Sequence, residues 1–149
     1  MIQRIQTVFW LVVAVLFVVM IPQEWMTLVF PDGNYSVSPT GIVHDSTNIG
    51  STIPLLFYTI IMAVFNFVII FLYKKRILQW RLTFIDMILT LGAYGIILLY
   101  RYYVWETEPV ATNWGYPLII PGICAILEFL AWRAVIRDEI KVRSLDRLR

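Results

Sequence analysis

The sequence predicts an all-α membrane protein with four transmembrane helices, a small outer β-hairpin loop and a helical cytoplasmic C-terminal tail. Three observations predict it. Hydrophobic residues make up 60% of the 149-residue chain and charged residues only 15%, with a mean hydropathy of +0.76. That composition belongs to membrane proteins rather than soluble domains. The apolar residues collect in four runs, and the cations lie between or after them. Residues 1–149 therefore read as one transmembrane domain.

The first run, TVFWLVVAVLFVVMI, follows Arg4 and is short. A span needs about 17–25 apolar residues, and Ile5 extends this one to residues 5–21. A secretory signal would look similar, but the exit IPQEW lacks a small-x-small cleavage site, so the run is expected to remain as the first helix. The other spans are expected at about 53–73, 82–101 and 116–132. Pro117 reads as a start signal for the last, and Pro121 as a mild kink.

The cations set the orientation. Arg4, Lys74, Lys75, Arg76, Arg81, Arg133, Arg137, Lys141, Arg143, Arg147 and Arg149 share one side if there are four spans. Arg101 stands on the other side with Glu24, Asp32, Asp45, Glu106 and Glu108. The positive-inside rule then places both termini in the cytoplasm of a bacterial inner membrane. The tail, 133–149, carries nine charges in seventeen residues. It holds the favourable pair Glu139–Arg143 at i,i+4 and no helix breaker, so it reads as a continuation of the fourth helix.

The outer loop, 22–52, reads TLVF, PDGN, YSVS: a hairpin around Asp32-Gly33, followed by the turn SPTG. Trp25, Tyr102, Tyr103, Trp105, Trp114 and Tyr116 flank the outer span ends and read as interfacial anchors. Arg101 is expected to snorkel to water, headgroups or Glu106. His44 is a lone loop histidine beside Asp45, expected in solvent.

Inside the spans, Gln6, Asn66, Asp86 and Glu128 fall at nearly one depth in the inner half. Thr83, Asp86, Thr90 and Tyr94 lie on one helical face, as do Pro117, Pro121, Cys124 and Glu128. A charge facing lipid at the bilayer centre costs about 2.5–3.5 kcal/mol on insertion scales, so both carboxylates are expected to face the bundle. Arg4, Arg81 and Arg133 are the cations expected to pair with them. The favoured reading is a polar clasp that fixes helix register. The alternatives are a proton or cation site and a lipid-headgroup pocket.

Several classes are excluded. One cysteine and one histidine leave no intrachain disulfide, no usual zinc set and no bis-histidine haem. No Ser/His/Asp set, CxxC, HExxH or P-loop occurs, so no enzyme, cofactor or metal is expected. The sequence pI near 8.8 reflects cations flanking spans and does not indicate nucleic acid. The expected partners are the lipid bilayer and other membrane protein subunits.

Three segments carry a resemblance: the start MIQRIQTV, the loop RILQWRL, and the end LAWRAVIRDEIKVRSLDRLR with its core DExxVRSxDRLR. They resemble a four-span inner-membrane protein family of Bacteroidota, domain of unknown function 4293. The resemblance implies that topology and brings no activity, cofactor or catalytic residue. The functional expectation is a non-enzymatic accessory or scaffold subunit of a larger membrane complex. The alternative is a small carrier or lipid/ion-handling protein using the carboxylate layer. The alternating signs of the tail suit a protein surface, with Glu139, Arg143, Asp146 and Arg147 as its contact residues.

Overall fold

A computed structural model describes residues 5–44, 46–72, 75–103 and 108–146, with side chains throughout except at Ile5, Arg76, Tyr103 and 141–146. It holds four helices: α1 (Ile5–Met20), α2 (Ile53–Phe71), α3 (Arg76–Tyr103) and α4 (Ile119–Asp146). Five strands form one antiparallel sheet: β1 (Met26–Phe30), β2 (Gly33–Ser38), β3 (Gly41–His44), β4 (Thr47–Gly50) and β5 (Ala111–Trp114). Their order is β4-β3-β2-β1-β5.

This corrects the expected fold class of four transmembrane helices with a small hairpin. Three helices are long and apolar enough to cross a membrane. Helix α1 has 16 residues, about 24 Å at 1.5 Å per residue, against a hydrocarbon core of about 30 Å. Its end is dictated by Pro22, which disfavours helix at Ile21. Helices α3 and α4 reach 28 residues each. RILQWRL contains neither glycine nor proline, so α3 begins at Arg76 and absorbs most of the expected loop. Pro121 lies in the first turn of α4, where its missing N–H costs no hydrogen bond.

The hairpin expected around Asp32-Gly33 is present, with Phe30 paired to Gly33. Gly33 has φ +147°, and the His44 ring occupies the space its Cβ would need, so only glycine fits. The sheet then extends beyond the hairpin on both sides. Strand β3 pairs with β2 across the SPTG turn, β4 pairs with β3, and β5 crosses from the α3–α4 connection to pair with β1.

One face of the sheet is apolar. Met26, Leu28 and Phe30 alternate inward along β1 and join Val37, Ile42, Phe17, Met20, Leu55 and Ile97 in one core cluster. The polar groups at this junction are bonded. The Thr52 hydroxyl, at the start of α2, donates to Ser38 O at 2.6 Å and Pro39 O at 2.9 Å. The Tyr116 hydroxyl donates to Gln23. Sheet and helices therefore share one hydrophobic interior.

Three side chains differ from expectation here. Trp25 is fully buried in the core cluster rather than anchored at an interface, and its Nε1 donates to Met20 O at 3.0 Å. Its backbone continues β1, pairing with Val37 O and Gly115 N, and its side chain enters the core shared by sheet and helices, which a local reading of the loop does not convey. Arg101 turns to the sheet: Nε donates to Thr112 Oγ1 on β5 at 2.7 Å and Nη1 meets Glu108 at 3.3 Å. Its other expected partner, Glu106, lies outside the described residues, as does Trp105. His44 stacks on Tyr35 with ring centroids 4.2 Å apart. Tyr102, Trp114 and Tyr116 are exposed.

Candidate functional site

Polar residues recur on the inward stripe of each long helix. On α2 the stripe is Thr59, Met62, Asn66 and Ile69; on α3 it is Gln79, Thr83, Asp86, Thr90 and Ala93; on α4 it is Cys124, Glu128, Ala131 and Val135. All of these are buried. The spacing of three and four residues is that of a helix face. The helices pack along these stripes, α3 against α4 and α2 against α3.

Most of the short polar side chains turn back on their own helix. Thr59 Oγ1 donates to Leu55 O at 2.8 Å, Thr83 Oγ1 to Gln79 O at 2.8 Å, and Asn66 Nδ2 to Met62 O at 3.1 Å. These i−4 bonds satisfy both hydroxyls and one of the two Asn66 N–H groups inside the helix. Two side chains bond across helices at this level: Thr90 Oγ1 on α3 donates to Glu128 Oε1 on α4 at 2.7 Å, and the Tyr58 hydroxyl on α2 donates to Leu89 O on α3 at 2.6 Å.

Asp86, Asn66 and Glu128 come together where α2, α3 and α4 meet. The Asn66 amide adjoins both carboxyl groups. Asp86, Glu128 and Asn66 are each 0% exposed. Yet both oxygens of Asp86, Oε2 of Glu128 and Oδ1 of Asn66 have no hydrogen-bond partner. Buried polar atoms are bonded in the large majority of cases, so four orphans in one cluster require an explanation.

No cation among the described residues supplies it. Arg81 is exposed and lies over the Trp80 ring at 5.6 Å, and Arg133 is exposed. The geometry follows from spacing. Each arginine is five residues from the carboxyl on its own helix, which is about 140° around an α-helix. A helix that turns its carboxyl inward therefore turns its arginine outward. Arg4 lies outside the described residues.

Gln6 is buried but stands apart from this cluster. Its Nε2 donates to Asp138 Oδ2 at 2.8 Å, ten residues beyond Glu128 and about 15 Å further along α4. It ties the start of α1 to the first turns of the tail. Next to that contact, Glu139 lines a depression of about 220 Å³ with Trp80, Ile136 and Ile140. The side chains of Arg143 and Asp146, and all of Arg147, lie outside the described residues.

Gln79 is buried too, which the sequence reading did not anticipate. It is 2% exposed, Nε2 donates to Ile69 O at 3.2 Å, and Oε1 is unpartnered. A signal for it exists, because 79, 83, 86 and 90 continue one helical stripe. The neighbouring cations of the expected loop obscure it. The indole N–H groups of Trp10 and Trp132 are also buried without partners.

Chemically, the cluster offers carboxyl, amide and hydroxyl oxygens, with the buried Cys124 thiol adjoining the carboxyls. Among the described residues, no group of three or more His, Cys, Asp or Glu is placed to hold a metal ion. A second concavity, about 310 Å³ between α1 and α2, is lined by apolar residues such as Leu11, Val18 and Phe67.

No curated protein and no solved structure matches the chain. A family model does: it covers residues 2–148, and with nearly the whole chain matched, the protein belongs to the family described as Domain of unknown function (DUF4293).

Proposed function

We propose that this protein is a non-enzymatic integral protein of the bacterial inner membrane, acting as an accessory or scaffold subunit of a larger membrane complex. The observation that carries the reading is the continuous core linking sheet and helices. A sheet fixed in this way is a rigid platform at one end of a membrane body. Its edge strands, β4 and β5, leave Ile49 and Trp114 exposed, and unpaired edges with apolar side chains are sites for protein contact.

Orientation follows from charge. Lys75, Arg81, Arg133 and Arg137 gather at the end opposite the sheet, together with the start of α1 through its Gln6–Asp138 bond. The positive-inside rule assigns that end to the cytoplasm and the sheet to the outside. The tail, through Glu139, Arg143, Asp146 and Arg147, is the proposed cytoplasmic contact.

Gentle-detergent purification of the tagged native protein tests this reading. A stoichiometric membrane-protein partner is expected, lost when Arg143 and Arg147 are both changed to glutamate. A clean monomer carrying only lipid or solute contradicts it.

The unpartnered carboxyls favour a second reading, a small ion-handling protein. In reconstituted vesicles, Asp86→Asn with Glu128→Gln then abolishes transport. An effect confined to thermal stability removes that reading.

A further inference from the structure

The orphaned oxygens at the junction of α2, α3 and α4 form a set whose composition is informative. Asp86 Oδ1, Asp86 Oδ2, Glu128 Oε2 and Asn66 Oδ1 are all acceptors when both carboxyls are ionised. The nearby donors are few. The Thr90 hydroxyl donates to Glu128 Oε1, and of the two Asn66 amide N–H groups one donates to Met62 O while the other adjoins the carboxyls. Four acceptors against one amide N–H is a chemical imbalance that a different rotamer of one side chain does not repair.

Among the described residues, the surroundings offer no compensating charge. Tyr58 on α2 and Cys124 on α4 adjoin the carboxyls, and both are neutral in their ordinary state. Helix α1 carries no titratable residue from Gln6 to Met20. On α3, Arg81 is exposed, and on α4, so is Arg133. Two adjacent carboxylates in this setting would also repel each other.

We propose that Asp86 and Glu128 form a proton-binding site in which each carboxyl carries one proton at neutral pH. Each carboxylate oxygen that accepts a proton from water becomes an O–H donor. With both carboxyls protonated, two of the four oxygens become O–H donors to the acceptors that remain, and the site is neutral. One proton would leave a residual negative charge. A single monovalent cation such as sodium would satisfy oxygens but leave the pair with a net charge of −1 in an apolar interior. Two protons make the site both neutral and hydrogen-bonded with no group beyond the side chains already there.

This inference rests on the membrane-embedded reading above, but on neither assembly nor transport. If the protein purifies and stays monodisperse without detergent, the membrane reading fails on that observation, before any carboxyl is examined.

The test is infrared spectroscopy of the detergent-solubilised full chain at pH 7, reading the C=O stretch of protonated carboxyls. The other carboxyls that titrate in the ordinary range near 4 are ionised at this pH and silent in that band. The expected result is a protonated-carboxyl band that weakens in Asp86→Asn and in Glu128→Gln and vanishes in the double variant. Wild-type protein labelled with carbon-13 at its aspartate carboxyls covers the case in which a variant does not fold: part of the band must shift. Absence of the band, or its indifference to substitution and label, overturns the proposal. So does a band present in choline chloride but lost when sodium replaces choline at equal ionic strength, which would make this a sodium site.

Discussion

The sheet and the helix interior handle buried polarity in opposite ways. At the sheet, buried and half-buried polar side chains are partnered: Ser38 with Gly41 O, Thr52 with two carbonyls, and half-buried Arg101 with Thr112. In the helix interior, Asp86, Glu128, Asn66 and Gln79 all keep buried atoms without partners. The difference teaches where each region's polarity comes from. Sheet polarity is structural, closing the junction with the helices. The interior polarity is incomplete among the described residues, and the two proposed protons complete its carboxyl cluster.

The largest expected effect comes from breaking the junction itself. Trp25 is fully buried in the core shared by the sheet and the helices. Trp25→Ala is expected to cost about 3–5 kcal/mol, the usual range for emptying a buried aromatic site, measured by chemical unfolding in a fixed detergent. A loss below about 1 kcal/mol would mean that the sheet is not packed on the helices as described.

Next is Thr52→Val, which keeps shape and removes the hydroxyl that serves Ser38 O and Pro39 O. Buried acceptors left without a donor cost about 1–3 kcal/mol, so the same unfolding assay is expected to show that loss. A neutral result would place water at those carbonyls and weaken the contrast between the two regions.

Much of this is legible in the sequence, and the limits have physical causes. Helices α2, α3 and α4 announce themselves as long apolar runs, and the PDGN turn marks the first hairpin. Strands β3 and β4 have four residues each, too short for a period-two pattern to stand out. Strand β5 pairs with β1 across some eighty positions of chain, and nothing local in ATNW signals that partner. The interior cluster is visible as stripes on α3 and α4. What spacing along the helix does not convey alone is rotation: depth brings Arg81 and Arg133 near the carboxyls, while the helical turn carries them to the outer surface.

A smaller effect separates the exposed sheet turn from the interior. The Tyr35 hydroxyl donates to Asp32 Oδ2 at 2.7 Å, and this bond holds the Asp32 carboxyl below its usual range. A carboxyl depressed in the folded state contributes stability above its unfolded pKa, lost as pH falls through the folded value. Asp32 is fully exposed, so the effect is slight. Acidification from pH 7 to about pH 3, across the ordinary carboxyl range, is expected to lower the wild-type unfolding midpoint slightly more than that of Tyr35→Phe. Equal shifts would show that the bond does not form in solution.

The smallest effect expected is also the most decisive. Asn and Gln are neutral near-isosteres of protonated Asp and Glu. If Asp86 and Glu128 carry protons and pair with no cation, Asp86→Asn with Glu128→Gln at pH 7 leaves the unfolding free energy within about 0.5 kcal/mol of wild type, as substitutions without a disruptive mechanism do. If the carboxyls are ionised and paired with buried cations, the double variant strands those cations, and a loss of about 3–5 kcal/mol contradicts the proton-binding site.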